Sequence, residues 1–145
     1  MQTPRTPPRV FVVDDEPSMR RVVRRMLEPA GYDVIDAGDP VDACASISHA
    51  AHLDLLISDF QMPTLTGDEV ARRFRAVKPD VKVLYITGYA DALFNERATM
   101  WDGEAFLEKP FSRQGLIEAV SLLLFGSVNY EVPLAAPAST DAGGA

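Results

Sequence analysis

Four short apolar runs in this chain each stop at a polar residue suited to phosphate chemistry. Arg9–Val13 runs into Asp14 and Asp15, and Leu53–Ser58 runs into Asp59. Val81–Ile86 runs into Thr87, and Ala105–Leu107, followed by Glu108, runs into Lys109 and Pro110. Short β-branched runs separated by helix-like segments read as parallel strands of an α/β sheet. The carboxyl ends of parallel strands share one edge, and ligands bind there. That edge therefore gathers three carboxylates, a hydroxyl and an ammonium. Such a set can hold a divalent metal and a phosphoryl group.

The segments between these runs have helical signals. Pro17 fits a first helical turn, and Met19, Val22, Val23, Met26 and Leu27 recur on one face until Pro29 and Gly31 end the helix. Tyr32–Ala37 reads as a second strand. Asp39–Pro40 caps a helix expected to run to about His49. Pro63, Thr66 and Gly67 mark a loop before a helix at about Asp68–Val77, with Val70, Phe74 and Val77 inward. Lys78–Pro79–Asp80 is a turn. A fourth helix is expected over Ala90–Met100, and a fifth from a Ser112 cap to Phe125, with Leu116, Val120, Leu123 and Leu124 inward. The pattern is βα repeated five times. Met1–Pro8 holds three prolines and reads as a disordered lead-in. Gly126–Ala145 is rich in Ala, Pro, Gly and Ser and reads as a tail.

At 145 residues the chain is expected to be one domain able to bury a real core. The net charge of −7 argues against a broad nucleic-acid footprint. No apolar run reaches the roughly 18 residues that span a bilayer, and Met1–Pro8 lacks the apolar stretch of a signal peptide. A cytoplasmic location is expected. Cys44 is the one cysteine, so neither a disulfide framework nor a Cys-based metal site exists, and a buried structural thiol is expected.

Carboxylates crowded at one strand edge raise each other's pKa unless a cation sits among them. No His or Cys accompanies Asp14, Asp15 and Asp59, so the cation should be hard, and Mg²⁺ suits a few oxygens plus water and phosphate. A carboxylate can also act as a nucleophile and form an acyl phosphate. Lys109 can neutralise phosphoryl oxygens, and Thr87 can donate a hydrogen bond to one.

The segments V-V-D-D-E-P, S-D-F-Q-M-P-x-x-x-G, I-T-G and L-E-K-P-F, in this order and at these separations, resemble the receiver domain of two-component response regulators, the CheY-like domain. The resemblance covers about Arg9–Phe125. It implies a flavodoxin-like, doubly wound five-stranded parallel sheet in the order 2-1-3-4-5 with five helices. It implies that Asp59 is the phosphoacceptor, taking a phosphoryl group from a sensor histidine kinase or a histidine phosphotransfer protein. It further implies an acidic pocket of Asp14 and Asp15, and Mg²⁺ held by Asp15, Asp59 and the backbone carbonyl of Gln61, with Asp14 acting through water. Thr87 is the implied switch hydroxyl, Lys109 the phosphoryl contact with a cis Lys109–Pro110 bond, and Phe106 the aromatic switch position, here without a tyrosine hydroxyl. The wording around Val83–Tyr89 and Phe106–Phe111 is most similar to receivers associated with hybrid sensor kinases. The twenty residues after Phe125 are too few for a helix-turn-helix unit, so a stand-alone receiver that does not bind DNA is expected.

Two other functions compete. One is a phosphatase with an Asp nucleophile, as in haloacid-dehalogenase-like enzymes; Asp14–Asp15–Glu16 has the wrong spacing for it. The other is a phosphorylation-independent adaptor, against which the full set of Asp15, Asp59, Thr87 and Lys109 argues. The row of Arg20, Arg21, Arg24 and Arg25 reads as a solvated face or as a stripe that steers an acidic partner. His49 and His52 have no carboxylate company in sequence, and Met100 and Trp101 are either core or an exposed anchor. Tyr89, two residues after Thr87, is expected to crowd the path of a hydrolytic water. Val128, Tyr130, Val132 and Leu134 alternate as a strand does, so an arm exchanged with a second copy into a homodimer competes with a disordered tail.

Overall fold

Successive side chains of a strand point to opposite faces, and here both faces of the sheet are apolar. In the computed structural model, which describes residues 6–49, 51–88 and 103–126, five strands form one parallel sheet. They are β1 (Arg9–Val13), β2 (Asp33–Ala37), β3 (Leu55–Asp59), β4 (Lys82–Thr87) and β5 (Glu104–Glu108), in the order β2-β1-β3-β4-β5. Val10, Val12, Leu55, Ile57, Leu84 and Ile86 face a core closed by Val23, Leu27, Leu116 and Val120. Phe11, Val13, Leu56, Val83 and Tyr85 face a second core with Ala43, Val70, Ala71 and Phe74. The sheet is thus covered on both sides, as an all-parallel sheet requires. This is the expected flavodoxin-like arrangement.

The helices follow local signals. The first, α1 (Pro17–Leu27), starts at Pro17 and passes into a 3-10 turn over Glu28–Ala30, which Gly31 ends at φ 103°. The second, α2 (Pro40–Ser46), is capped by Asp39, which accepts from the Val41 N–H at 2.8 Å. The third, α3 (Gly67–Val77), is capped by Thr66, and the fourth, α4 (Arg113–Phe125), by Ser112; these accept from Glu69 N–H and Gly115 N–H at 3.2 and 3.0 Å. Each cap satisfies an N–H with no partner within its helix. Four α-helices lie among the described residues. The helix expected over Ala90–Met100 falls outside them, as do Tyr89, Trp101 and the Val128–Leu134 alternation. Among the described residues no helix is long and apolar enough to cross a membrane.

Three expectations are corrected. α2 ends at Ser46 and not near His49. Ser46 Oγ donates to the Ala43 carbonyl at 2.9 Å and Ile47 is extended. That Ala43 carbonyl is the acceptor the Ile47 N–H would use in a further turn, and beyond it the Lys78 ammonium holds the loop through the carbonyls of His49 and Ala51. Val22 is 39% exposed. Val23 and Leu27 fill the buried stripe of α1, with Met19 and Met26 packed at its margin. Cys44 is half-buried at the edge of the second core rather than sealed within it. Burial still pushes its thiol above the ordinary value.

Candidate functional site

The carboxyl ends of β1 and β3 bring the acids together. Val13 pairs with Ser58, so the residues that follow, Asp14 and Asp59, emerge side by side. One carboxylate oxygen each from Asp14, Asp15 and Asp59 lies within 4.8 Å of the others. Asp14 is 2% exposed and Asp59 is 9% exposed, whereas Asp15 is open to solvent. Asp14 Oδ1 accepts from the Glu16 N–H at 2.9 Å, and Asp59 Oδ1 accepts from the Gln61 N–H at 3.3 Å. Those bonds engage Oδ1 of each carboxylate and do not occupy Oδ2.

β4 and β5 supply the rest. Asp59 pairs with Ile86, and Thr87 follows as the last residue of β4, 2% exposed. The Thr87 carbonyl accepts from the Lys109 N–H at 2.8 Å, which fixes the start of the loop after β5. The Lys109–Pro110 bond is cis. Lys109 Nζ stands 3.8 Å from Asp59 Oδ2 and 3.8 Å from Glu16 Oε1. Phe106 lies next to Tyr85 across β4 and β5, half-buried against the second core. Gln61 is exposed beside Asp59.

Electrostatics here run against ionisation. Burial pushes the Asp14 carboxyl from 3.8 up to about 6; the Glu16 N–H and Lys109 oppose this, and Asp59 and Asp15 add to it. Burial also raises Asp59, against the pull of Lys109 and the Gln61 N–H. One nearby ammonium does not neutralise three converging carboxylates. A hard divalent cation fits the donor set, because it would restore both acids to their charged form.

Four residues near this edge gain a role that local sequence did not show. Glu16 shares Lys109 with Asp59. Arg20 donates to the Asp14 carbonyl at 2.7 Å. Gly38 lies against Arg20. Gly67 brings α3 against the Asp59–Phe60 backbone: a Cβ there would stand 2.6 Å from the Asp59 carbonyl oxygen and 2.9 Å from Phe60 Cα. Both neighbours are main chain, so they cannot swing aside. Gly67→Ala is expected to cost about 1–2 kcal/mol, as overpacking outweighs the helix propensity Ala returns. A urea midpoint equal to the parent's would refute that close approach. His49 and His52 stay away from the site. Contrary to the expectation that it lacks carboxylate company, His52 has Asp54 beside it: its Nε2 is 3.6 Å from Asp54 Oδ2 and 3.3 Å from the Pro7 carbonyl oxygen, before the start of β3.

Residues 10–121 match the response regulator receiver domain. The chain belongs to that family. The response regulator receiver protein CpdR of Brucella abortus is 30% identical over 119 residues, which are 82% of this chain and 98% of CpdR. The sensor kinase CckA of the same organism is 32% identical over 116 residues, 79% of this chain but 12% of that kinase. Among solved structures, the response regulator TrrA of Thermotoga maritima in complex with Mg²⁺-BeF has a TM-score of 0.68 and 31% identity. That alignment covers 81% of this chain and 99% of TrrA. Receivers are signalling domains of two-component systems, and the acid cluster of this receiver suits the Mg²⁺ site typical of them.

Proposed function

We propose that this receiver accepts a phosphoryl group on Asp59 from the phosphohistidine of a histidine kinase or phosphotransfer protein, and signals by docking to another protein in its altered state. The observation that carries the reading is the convergence of Asp14, Asp15 and Asp59 within 4.8 Å, with Lys109 at 3.8 Å from Asp59. In the transfer, an Asp59 carboxylate oxygen forms the O–P bond as the N–P bond of the phosphohistidine breaks, and the freed imidazole retains a proton. Asp59 Oδ1 is held by the Gln61 N–H, which leaves Oδ2, on the Lys109 side, as the nucleophile. Lys109 meets the charge spreading over the phosphoryl oxygens. Thr87, at the adjacent strand end, donates to one of those oxygens, and Phe106 repacks as Thr87 moves. Asp15, Asp59 and the Gln61 carbonyl would hold Mg²⁺, and Asp14 would act on it through water; the ion would supply charge neutralisation for the crowded acids and the transferring group.

A small phosphodonor such as acetyl phosphate, with Mg²⁺, tests this directly. Intact mass should show a gain of one phosphoryl group per chain, dependent on Mg²⁺. Lys109→Ala should still label, but about a hundredfold more slowly, since one charge-stabilising contact is lost. Continuous turnover of the donor without a stable adduct would favour a phosphatase, and no reaction at all would favour an adaptor.

A further inference from the structure

We propose that Arg20 is a positioning residue for the Mg²⁺ site, acting by clamping the Asp14–Asp15 peptide. The inference rests on the reading of the acid pair as that site. Arg20 Nη1 donates to the Asp14 carbonyl at 2.7 Å, and Arg20 Nε donates to Asp36 Oδ2 at 2.9 Å. The Asp14 N–H donates to the Ala37 carbonyl at 3.3 Å. The peptide groups on both sides of the Asp14 Cα are therefore held, one by the end of β2 and one by α1. A peptide is planar, so fixing the Asp14 carbonyl fixes the Asp15 N–H and the direction in which the Asp15 chain leaves. Asp15 is exposed and makes no other anchoring bond among the described residues. Its aim into the cleft depends on this plane.

The guanidinium is itself built in. Asp36 also accepts from Arg24 at 2.6 Å, and Arg24 reaches Glu28 at 2.6 Å, which forms an ion network along α1 and β2. Burial disfavours the charged Asp36, yet the bonds from Arg24 and Arg20 outweigh it and hold the carboxyl below its ordinary value. Gly38 leaves the space: a Cβ there would stand 2.6 Å from Arg20 Nη1 and 3.1 Å from its Cζ. Gly38 does not have a left-handed backbone, so its need is room for Arg20 and not a special φ. Half of the arginine row is thus committed inward. Arg21 and Arg25 form no ion pair among the described residues and remain the exposed part of the row.

Charge and position predict opposite signs. Arg20 is a cation near a cation site, so by Coulomb repulsion alone its removal would tighten Mg²⁺ binding. As a clamp, its removal loosens Asp15, and Mg²⁺, which demands near-ideal octahedral geometry, binds less well. Titration calorimetry with Mg²⁺ on the full chain separates the two. Arg20→Ala should raise Kd about fivefold, and Arg20→Lys, which keeps the charge but loses the fork, should fall between. Arg24→Ala removes the same charge from the same network without touching the Asp14 carbonyl and should leave Kd unchanged or slightly lower. Gly38→Ala keeps every charge, displaces the guanidinium, and should raise Kd. Urea midpoints confirm that each variant is folded. Binding by Arg20→Ala as tight as the parent's, or equal losses in Arg20→Ala and Arg24→Ala, would overturn the clamp alone. A parent chain that takes up no Mg²⁺ would overturn the site reading and the clamp together.

Discussion

Asp59→Asn should take up no phosphoryl group from acetyl phosphate under conditions that add one per chain to the parent. An amide oxygen is a far weaker nucleophile than a carboxylate, and an acyl phosphate cannot form on it. The fold should survive. The Asn carbonyl oxygen can still accept the Gln61 N–H that Asp59 Oδ1 accepts at 3.3 Å. The side chain is nearly the same size in a position 9% exposed. Burial raises the Asp59 carboxyl, so its charge is a cost to the Mg²⁺-free protein, and the variant's urea midpoint at pH 7 should equal or exceed the parent's. Parent-rate labelling of the variant, mapped by peptide mass to Asp14 or Asp15, would transfer the acceptor role to that residue.

Much of this was legible because chemistry sits at strand ends. A parallel strand buried on both faces is largely apolar, so the polar residues at which its apolar run stops mark the functional edge. Asp14, Asp59, Thr87 and Lys109 could be found that way from four separate stretches of chain, and the described structure brings their strand ends to one edge. What was hidden depends on contacts between distant segments. Helical periodicity placed Val22 with Met19, Val23, Met26 and Leu27. It could not show that Val23 and Leu27 alone fill the stripe against the sheet, which leaves Val22 outside. Helical signals in the sequence carry α2 too far because they do not show that Ser46 Oγ takes the Ala43 carbonyl, the acceptor that the Ile47 N–H would use in a further turn, or that Ile47 is extended. The arginine row looked uniform in sequence. Asp36 and the Asp14 carbonyl divide it, turning Arg20 and Arg24 inward and leaving Arg21 and Arg25 exposed. Gly67 was visible as a turn residue, but its backbone contact with Asp59 was not.

Asp14→Asn is expected to stabilise the Mg²⁺-free protein at pH 7 by about 2–3 kcal/mol. Folding lifts the Asp14 carboxyl from 3.8 to about 6, and a difference of that size corresponds to about 3 kcal/mol. The sign follows from which form the fold prefers. A raised carboxyl means that the folded chain binds the proton more tightly than the unfolded chain does. Below 3.8 both states are protonated and the penalty is absent. It grows as pH rises toward about 6 and is complete above that. The parent's stability should therefore fall across this window, and the variant should lack that part of the fall. Asp59 titrates in the same direction and faces Asp14, so the two acids lose their protons as a coupled pair. The repulsion between the two is already part of the Asp14 shift, so the gain does not exceed what that shift implies. The Asn oxygen keeps the Glu16 N–H bond, so no buried donor is orphaned. Mg²⁺ should narrow the gap from the other side, since binding to the parent at tenfold above Kd adds about 1.4 kcal/mol. Urea unfolding at pH 4 and pH 7, with EDTA and with Mg²⁺, measures all of this. A variant less stable than the parent at pH 7 in EDTA, or a gap of equal size at both pH values, would mean that the Asp14 charge carries no such cost.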